Sequence, residues 1–187
     1  MRKVVVSEFM TLDGVIEGPD KWSMDFWGDD IAEFKLQELR SSDAMLLGRV
    51  TYEGFAEAWP TMTDEAGFAD RMNSLPKYVA STTLQDPTWN ASLISGDVAA
   101  AVTELKKQDG ANILVGGSGR LVQTLIKDDL VDELQLLVYP VVVGAGSRMF
   151  HEGIDKTTFS LIESRTFSTG VVLLAYGRAS AESTPAT

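Results

Sequence analysis

Apolar positions along the chain follow two periods. Residues 4–9, Val4-Val5-Val6-Ser7-Glu8-Phe9, form a β-branched run that reads as a buried strand. Short apolar runs at 44–47, 77–80, 92–94 and 112–115 read the same way, most of them bounded by Gly, Pro or hydroxyl-rich turns. A longer run, 131–143, reads as a strand bent at Pro140, and runs 158–167 and 171–176 flank Ser168-Thr169-Gly170 as a closing antiparallel hairpin. Between the strands the period lengthens towards 3.6. Ile31, Phe34 and Leu39 share a face behind Asp29 and Asp30, either of which can cap the helix. Residues 51–59 form a helix limited by Pro60, with Thr51 as its expected cap, and 64–75 a second closed by Pro76. A further helix runs to about Gln108 from a cap at Ser95 or Asp97, with Lys106 and Lys107 suiting its C-terminal dipole. Leu121, Leu125 and Ile126 mark the last one. Strand–helix alternation through residue 138 predicts an α/β three-layer sandwich: a mostly parallel mixed sheet, helices on both faces and an antiparallel hairpin at the C-terminal end. At 187 residues, against roughly 150 per domain, one domain is expected over 1–178, with a disordered Ala/Ser/Glu/Thr/Pro tail over 179–187.

Composition removes whole classes of chemistry. There is no Cys, hence no disulfide, thiolate metal site or cysteine nucleophile, and the lone His151, expected at the surface, leaves no His cluster for a metal. No metal is expected. Lys plus Arg is 16 against 27 Asp plus Glu, a formal charge of −11, which argues against nucleic acid or an anionic membrane as partner. No segment reaches the roughly 18 apolar residues of a membrane span. The first apolar run stops at Ser7-Glu8, too soon for a signal peptide, so a cytoplasmic protein is expected. The remaining chemistry lies with carboxylates, hydroxyls, backbone amides or an organic cofactor.

In open α/β sheets ligands collect beyond the carboxyl ends of the strands. Gly116-Gly117-Ser118-Gly119-Arg120 follows one such strand and opens a helix. It is either a plain tight turn or a phosphate cradle of backbone amides; Val122 stands where a dinucleotide fingerprint needs its third Gly. Gly48-Arg49-Val50-Thr51 occupies the same position after another strand, and a permanent cation at a helix start calls for an anion beside it. Ser81-Thr82-Thr83 follows a third strand and can satisfy a turn or bind a phosphate monoester.

These motifs, with Leu12-Asp13-Gly14-Val15-Ile16, Leu130-Val131-Asp132-Glu133-Leu134 and Pro140-Val141-Val142-Val143-Gly144-Ala145-Gly146, occur in the order of the dihydrofolate reductase-like superfamily. The chain resembles most the branch that holds the reductase domain of bacterial riboflavin biosynthesis, as a stand-alone relative, over roughly residues 2–176. The resemblance implies an NADPH-dependent reductase of a pterin-like or pyrimidine-like heterocycle. By position, Arg49 and Thr51, after Gly48, would contact cofactor phosphates; Ser81 and Thr82 would lie near the adenosine 2′-phosphate; and Gly116, Gly117, Ser118, Gly119 and Arg120 would cradle the pyrophosphate. Leu12, Gly14 and Ile16 would cover the nicotinamide, with Phe9 and Met10 ending strand one nearby. Asp30, followed by Phe34 one turn on, stands in the acidic place that holds a pterin in folate reductases, unless Asp29 slides into that role or Asp30 merely caps its helix.

Hydride transfer also needs a proton, and a carboxyl in a partly apolar pocket has the raised pKa to hold one. Asp30 is the first candidate for that acid and Asp13 the second. Trp22, Phe26 and Trp27 are either walls for a planar substrate or ordinary packing of a long loop. Two other readings stand beside the reductase: an NADP-binding sensor or interaction module without catalysis, and a structural dimer whose glycine turns are empty. A homodimer is expected through the apolar surface of residues 134–143, unless the hairpin covers it.

Overall fold

Side chains on a strand alternate between the faces of a sheet, and here the alternation sorts the core into two layers. In the computed structural model, which describes residues 1–150 and 154–179, strand β1 (Val4–Thr11) sends Val4 and Val6 to one face and Phe9 to the other. Strand β2 (Ser42–Gly48) divides likewise, Leu46 from Met45 and Leu47, and β5 (Asn112–Val115) sends Ile113 and Val115 away from Leu114. The remaining strands are β3 (Lys77–Ala80), β4 (Ala91–Ile94), β6 (Glu133–Tyr139), β7 (Phe159–Thr166) and β8 (Val172–Arg178). Among the described residues the eight strands form one sheet in the order β4-β3-β2-β5-β1-β6-β8-β7. Every pairing from β4 to β6 is parallel, and β8 and β7 close the sheet antiparallel.

Among the described residues five α-helices cover it: α1 (Asp29–Arg40), α2 (Arg49–Ala58), α3 (Phe68–Ser74), α4 (Val98–Lys107) and α5 (Gly119–Lys127). Leu39 of α1, Tyr52 of α2 and Met72 of α3 pack with Met45, Leu47 and Leu114 on one face. Val102 and Leu105 of α4 and Leu121, Val122 and Leu125 of α5 pack with Val4, Val6 and Val115 on the other. A third cluster, around Ile31, Leu137 and Tyr139, holds α1 against the β6–β8 end. This is the α/β architecture of a dihydrofolate reductase-like fold.

Element boundaries differ from the sequence expectation where side-chain chemistry outweighs periodicity. Helix α2 begins at Arg49, capped by the extended backbone of Gly48, so Thr51 lies inside its first turn and caps nothing. Helix α3 begins only at Phe68, because Gly67 turns at φ +80° and the Asp64 carboxylate accepts hydrogen bonds from the Phe68 and Ala69 amides at 3.0 and 2.6 Å. Asp97, not Ser95, caps α4, accepting from the Ala100 amide at 3.0 Å. Strand β6 stops at Tyr139; Leu134, Leu136 and Leu137 are buried within the chain, so the apolar surface expected over 134–143 narrows to Val142 and Val143. His151 and the expected tail from 180 onward lie outside the described residues.

Candidate functional site

Strand β5 lies between β2 and β1, and the helices that follow these strands diverge. Helix α2 leaves β2 for one face of the sheet, and α5 leaves β5 for the other. The crevice at such a reversal, beyond the carboxyl ends of parallel strands, is where α/β sheets bind ligands.

Two glycine turns interlock there. The Gly48 amide donates to the Gly117 carbonyl at 3.3 Å, and a Cβ on Gly48 would collide with the Ser118 hydroxyl. Gly117 turns at φ +90°, and a Cβ on it would stand 2.7 Å from Thr51 Oγ1. A Cβ on Gly116, by contrast, would meet nothing within 4 Å, so this stretch of backbone faces open space. The Ser118 side chain makes no cap hydrogen bond at the start of α5, which leaves the first amides of that helix uncapped by it.

The turns floor a groove of about 420 Å³ whose lining includes Gly48, Arg49, Ser81, Thr82, Ser118 and Arg120. Three separate stretches of sequence thus meet on one surface. Ser81 Oγ accepts from the Thr83 and Leu84 amides at 3.1 and 2.9 Å, which keeps its hydroxyl proton free to donate outward. Arg120 is exposed at the first turn of α5. The sequence called for an anion beside Arg49, and one lies within its own helix: the guanidinium binds the Glu53 carboxylate one turn on, at 2.8 and 3.0 Å.

The turn of residues 12–16 is not part of this lining and approaches the start of α5 instead. A Cβ on Gly119 would stand 2.8 Å from Ile16 Cδ1, whereas Leu12 is exposed. The turn is sutured to the segment after β6. Val15 bridges to Arg148, the Ile16 amide donates to the Ser147 carbonyl at 2.9 Å, and Glu17 accepts from the Ser147 amide and hydroxyl at 2.8 and 2.9 Å. Asp13 belongs to the same suture. It accepts from Thr11 Oγ1 at 2.6 Å and from the Gly144 amide at 2.9 Å, and these bonds, the Thr11 bond foremost, hold its carboxyl below the usual carboxylate range.

Asp30 is occupied in a similar way. Its carboxylate accepts the Ser168 amide at 2.7 Å and the Ser168 hydroxyl at 3.1 Å, tying α1 to the β7–β8 turn, and the amide bond above all holds its pKa down. The expectation of a raised pKa at Asp30 or Asp13 is therefore corrected: hydrogen bonds to the ionised form keep both as carboxylates at neutral pH. Of the expected aromatic walls, Trp22 is buried edge-on against Tyr139 at 5.4 Å, its indole N–H on the Glu17 carbonyl, and Phe34 packs on Phe167 at 5.7 Å. Both belong to the core. Trp27 remains 40 % exposed, 6.2 Å from Phe9.

Two polar groups that sequence reasoning passed over stand out by having too few partners. Tyr139 Oη and Glu8 Oε1 are buried without a hydrogen-bond partner. Burial pushes the Tyr139 hydroxyl well above its ordinary pKa and the Glu8 carboxyl up to about 8, against smaller opposing effects from Lys35 and the Gly117 amide. The signal for Glu8 was present in the sequence as a charged residue breaking a β-branched apolar run.

Comparison with known proteins places this arrangement. Residues 2–173 match the RibD C-terminal domain family. The Bacillus subtilis protein YyaP is 30% identical over 181 residues, covering 94% of each chain. A candidate riboflavin biosynthesis protein from Shewanella sp. PV-4 superposes with a TM-score of 0.77 at 21% identity, over 95% of this chain and 99% of its own. The Thermotoga maritima diaminohydroxyphosphoribosylaminopyrimidine deaminase/5-amino-6-(5-phosphoribosylamino)uracil reductase gives 0.64 at 19%, over 95% of this chain and 57% of its own.

Proposed function

Because this chain belongs to the RibD C-terminal domain family, we propose that it is an NADPH-dependent reductase of a small pterin-like or pyrimidine-like heterocycle. The observation that carries this reading is the convergence of Gly48, Arg49 and Val50, of Ser81, Thr82 and Thr83, and of Ser118 and Arg120 on one groove at the sheet's reversal point. The residues suit the cofactor. Open backbone at Gly116 and the uncapped start of α5 suit a pyrophosphate, Ser81 and Thr82 offer hydroxyls to a ribose phosphate, and Arg120 supplies charge in a protein of net charge −11. The turn of residues 12–16, held rigid by its suture, would bound the nicotinamide end, with Phe9 and Trp27 as the aromatic surface left for a flat substrate. When bound, NADPH supplies a hydride to a C=N or C=O carbon. The protein must align that carbon and deliver a proton.

Titration with NADPH and NADH, followed by quenching of Trp fluorescence, tests the reading. Tighter binding of NADPH is expected. Failure of both nucleotides to bind at millimolar concentration overturns it, and a preference for NADH removes Ser81 and Thr82 from a 2′-phosphate site. One observation favours the alternative of an NADP-binding protein without catalysis: Asp13 and Asp30 are both committed to structural hydrogen bonds. We further propose a homodimer. The edge strand β7 exposes Leu161 and Ile162, and Val142 and Val143 are also exposed. Light scattering is expected to give twice the chain mass of 20.3 kDa; the single mass refutes it.

A further inference from the structure

The edge of a sheet is unpaired backbone, and the two edges of this sheet are unequal. Strand β4 is four residues long, whereas β7, Phe159–Thr166, is eight. From Leu161 to Thr166 every residue of β7 is exposed, so no element among the described residues covers that stretch. Leu161 and Ile162 lie on it at 56 % and 61 % exposure. Charge is the usual means of keeping such an edge from pairing. Here the charges are of opposite sign. Glu163 and Arg165 stand two residues apart, opposite Ala175 and Leu173 of β8, and so share one face. Among the described residues neither has an ion-pair partner, and the Arg165 guanidinium lies over the Phe167 ring, 4.9 Å from its centroid.

The hairpin decides which backbone groups are free. The Phe167 amide donates to the Val171 carbonyl at 2.8 Å, which makes 167 and 171 a hydrogen-bonded pair. Antiparallel pairs alternate, so in the register Arg165↔Leu173 and Glu163↔Ala175 the amides and carbonyls of 163 and 165 turn to β8. Those of Ser164 and Thr166 turn to the open edge. A second β7 running antiparallel must pair outward residues with outward residues, which places a two-fold axis on a residue and not between two. An axis at Ser164 sets Glu163 opposite the partner's Arg165, and Arg165 opposite the partner's Glu163. An axis one residue either way sets Glu163 on Glu163 or Arg165 on Arg165.

We propose that two copies of this chain join edge to edge, β7 on the partner's β7 about a two-fold axis at Ser164, so that the two eight-stranded sheets become one. The occupant is a second copy because the pattern Glu163-Ser164-Arg165 is complementary to itself when reversed. The inference rests on the homodimer reading above and gives it a surface: Leu161 and Ile162 lie in the joined strand, and Val142 and Val143 do not. Because the two strands run antiparallel, the glycine crevices open at opposite ends of the joined sheet.

Light scattering of the full chain over a dilution series gives the dimer dissociation constant. Glu163→Arg leaves only arginines facing each other beside the axis, and Arg165→Glu leaves only carboxylates. Each is expected to weaken the dimer roughly tenfold to a hundredfold, less at high salt. Mixed in equal amounts, the two variants are expected to pair with each other as tightly as wild type, since every introduced charge then faces its opposite. The double variant E163R/R165E is expected to dimerise by itself at wild-type affinity, which also shows that neither change spoils the fold. The chain has no Cys, so Ser164→Cys adds a single thiol at the axis; mild oxidation is expected to crosslink two chains through it and not through Ser160→Cys. A wild-type dimer that both single variants leave intact, a mixture no tighter than either variant alone, or crosslinking at 160 in place of 164 overturns the proposal while the homodimer stands. A monomeric wild type overturns the homodimer reading and this inference with it.

Discussion

The two sides of β1 end in very different surroundings. Towards β5 and β2 the groove is floored by backbone: glycine turns in van der Waals contact, flanked by hydroxyls and an exposed arginine. Towards β6 and α1 the packing is of side chains: Phe9, Trp22 and Phe26 packed around Tyr139, with only Trp27 left partly exposed beside Phe9, laced by carboxylates that pin one loop to another. Such a backbone surface resists remodelling one residue at a time, because Gly48 and Gly117 leave no room for a Cβ. A side-chain surface can be remodelled in that way. The first side suits a constant ligand such as a cofactor, and the second suits a substrate that differs from one relative to the next.

If that contrast holds, the largest loss comes from the glycine turns. Gly48→Val would drive a side chain into Ser118, with an overpacking cost of about 1–3 kcal/mol. NADPH affinity should fall roughly tenfold to a hundredfold, measured by fluorescence titration. Unchanged affinity would break the comparison. Next comes stability at Glu8. Its folded pKa is about 8 against 4.5 unperturbed, so its contribution is full below pH 4.5 and is lost as pH rises through about 8. Glu8→Gln should therefore melt close to wild type at acid pH and above it at pH about 9, by an amount on the order of a few kcal/mol. Equal melting at both pH values would mean an ionised Glu8. Arg120→Glu should weaken NADPH binding roughly fivefold to tenfold at low salt and less at high salt, since the side chain is exposed. The smallest effect belongs to Asp30→Asn, which loses the Ser168 tie on the side-chain half. Its lowered pKa contributes stability above the ordinary carboxylate value, lost as pH falls through the folded one, so a modest melting deficit at pH 7 should vanish in acid. Its NADPH affinity should match wild type; a large loss there would join the two halves into one.

The same division governs how much could be read from the sequence. Glycine turns are legible because a backbone requirement writes itself as a residue type, and their place after strands followed from periodicity alone. The strand order was not legible in that way, yet the alternation of elements sufficed to expect a mostly parallel sheet with a terminal hairpin. Side-chain roles were hidden by long-range partners. Asp30 looks like an acid or a cap until Ser168, distant in sequence, claims its carboxylate. Trp22 looks like a pocket wall until Tyr139 covers it. Arg49 looked in need of a foreign anion, although Glu53 stood at helical spacing behind it. Glu8 is the opposite case. A charge inside an apolar strand is visible at once, but only the register with β5 turns it into a neighbour of Gly117.

The order of strands also sets a timetable. Strands β1 and β2 leave the ribosome early but do not touch; β5, which enters between them, is encoded some sixty residues after β2 ends. Until it docks, both present unpaired edges, and the Gly48 turn has no Ser118 to pack against. The crevice thus cannot form before β5 and the start of α5 have been made. A nascent chain ending before Asn112 should expose sticky edges to chaperones and retain no nucleotide, whereas one extended past α5 should first acquire the groove.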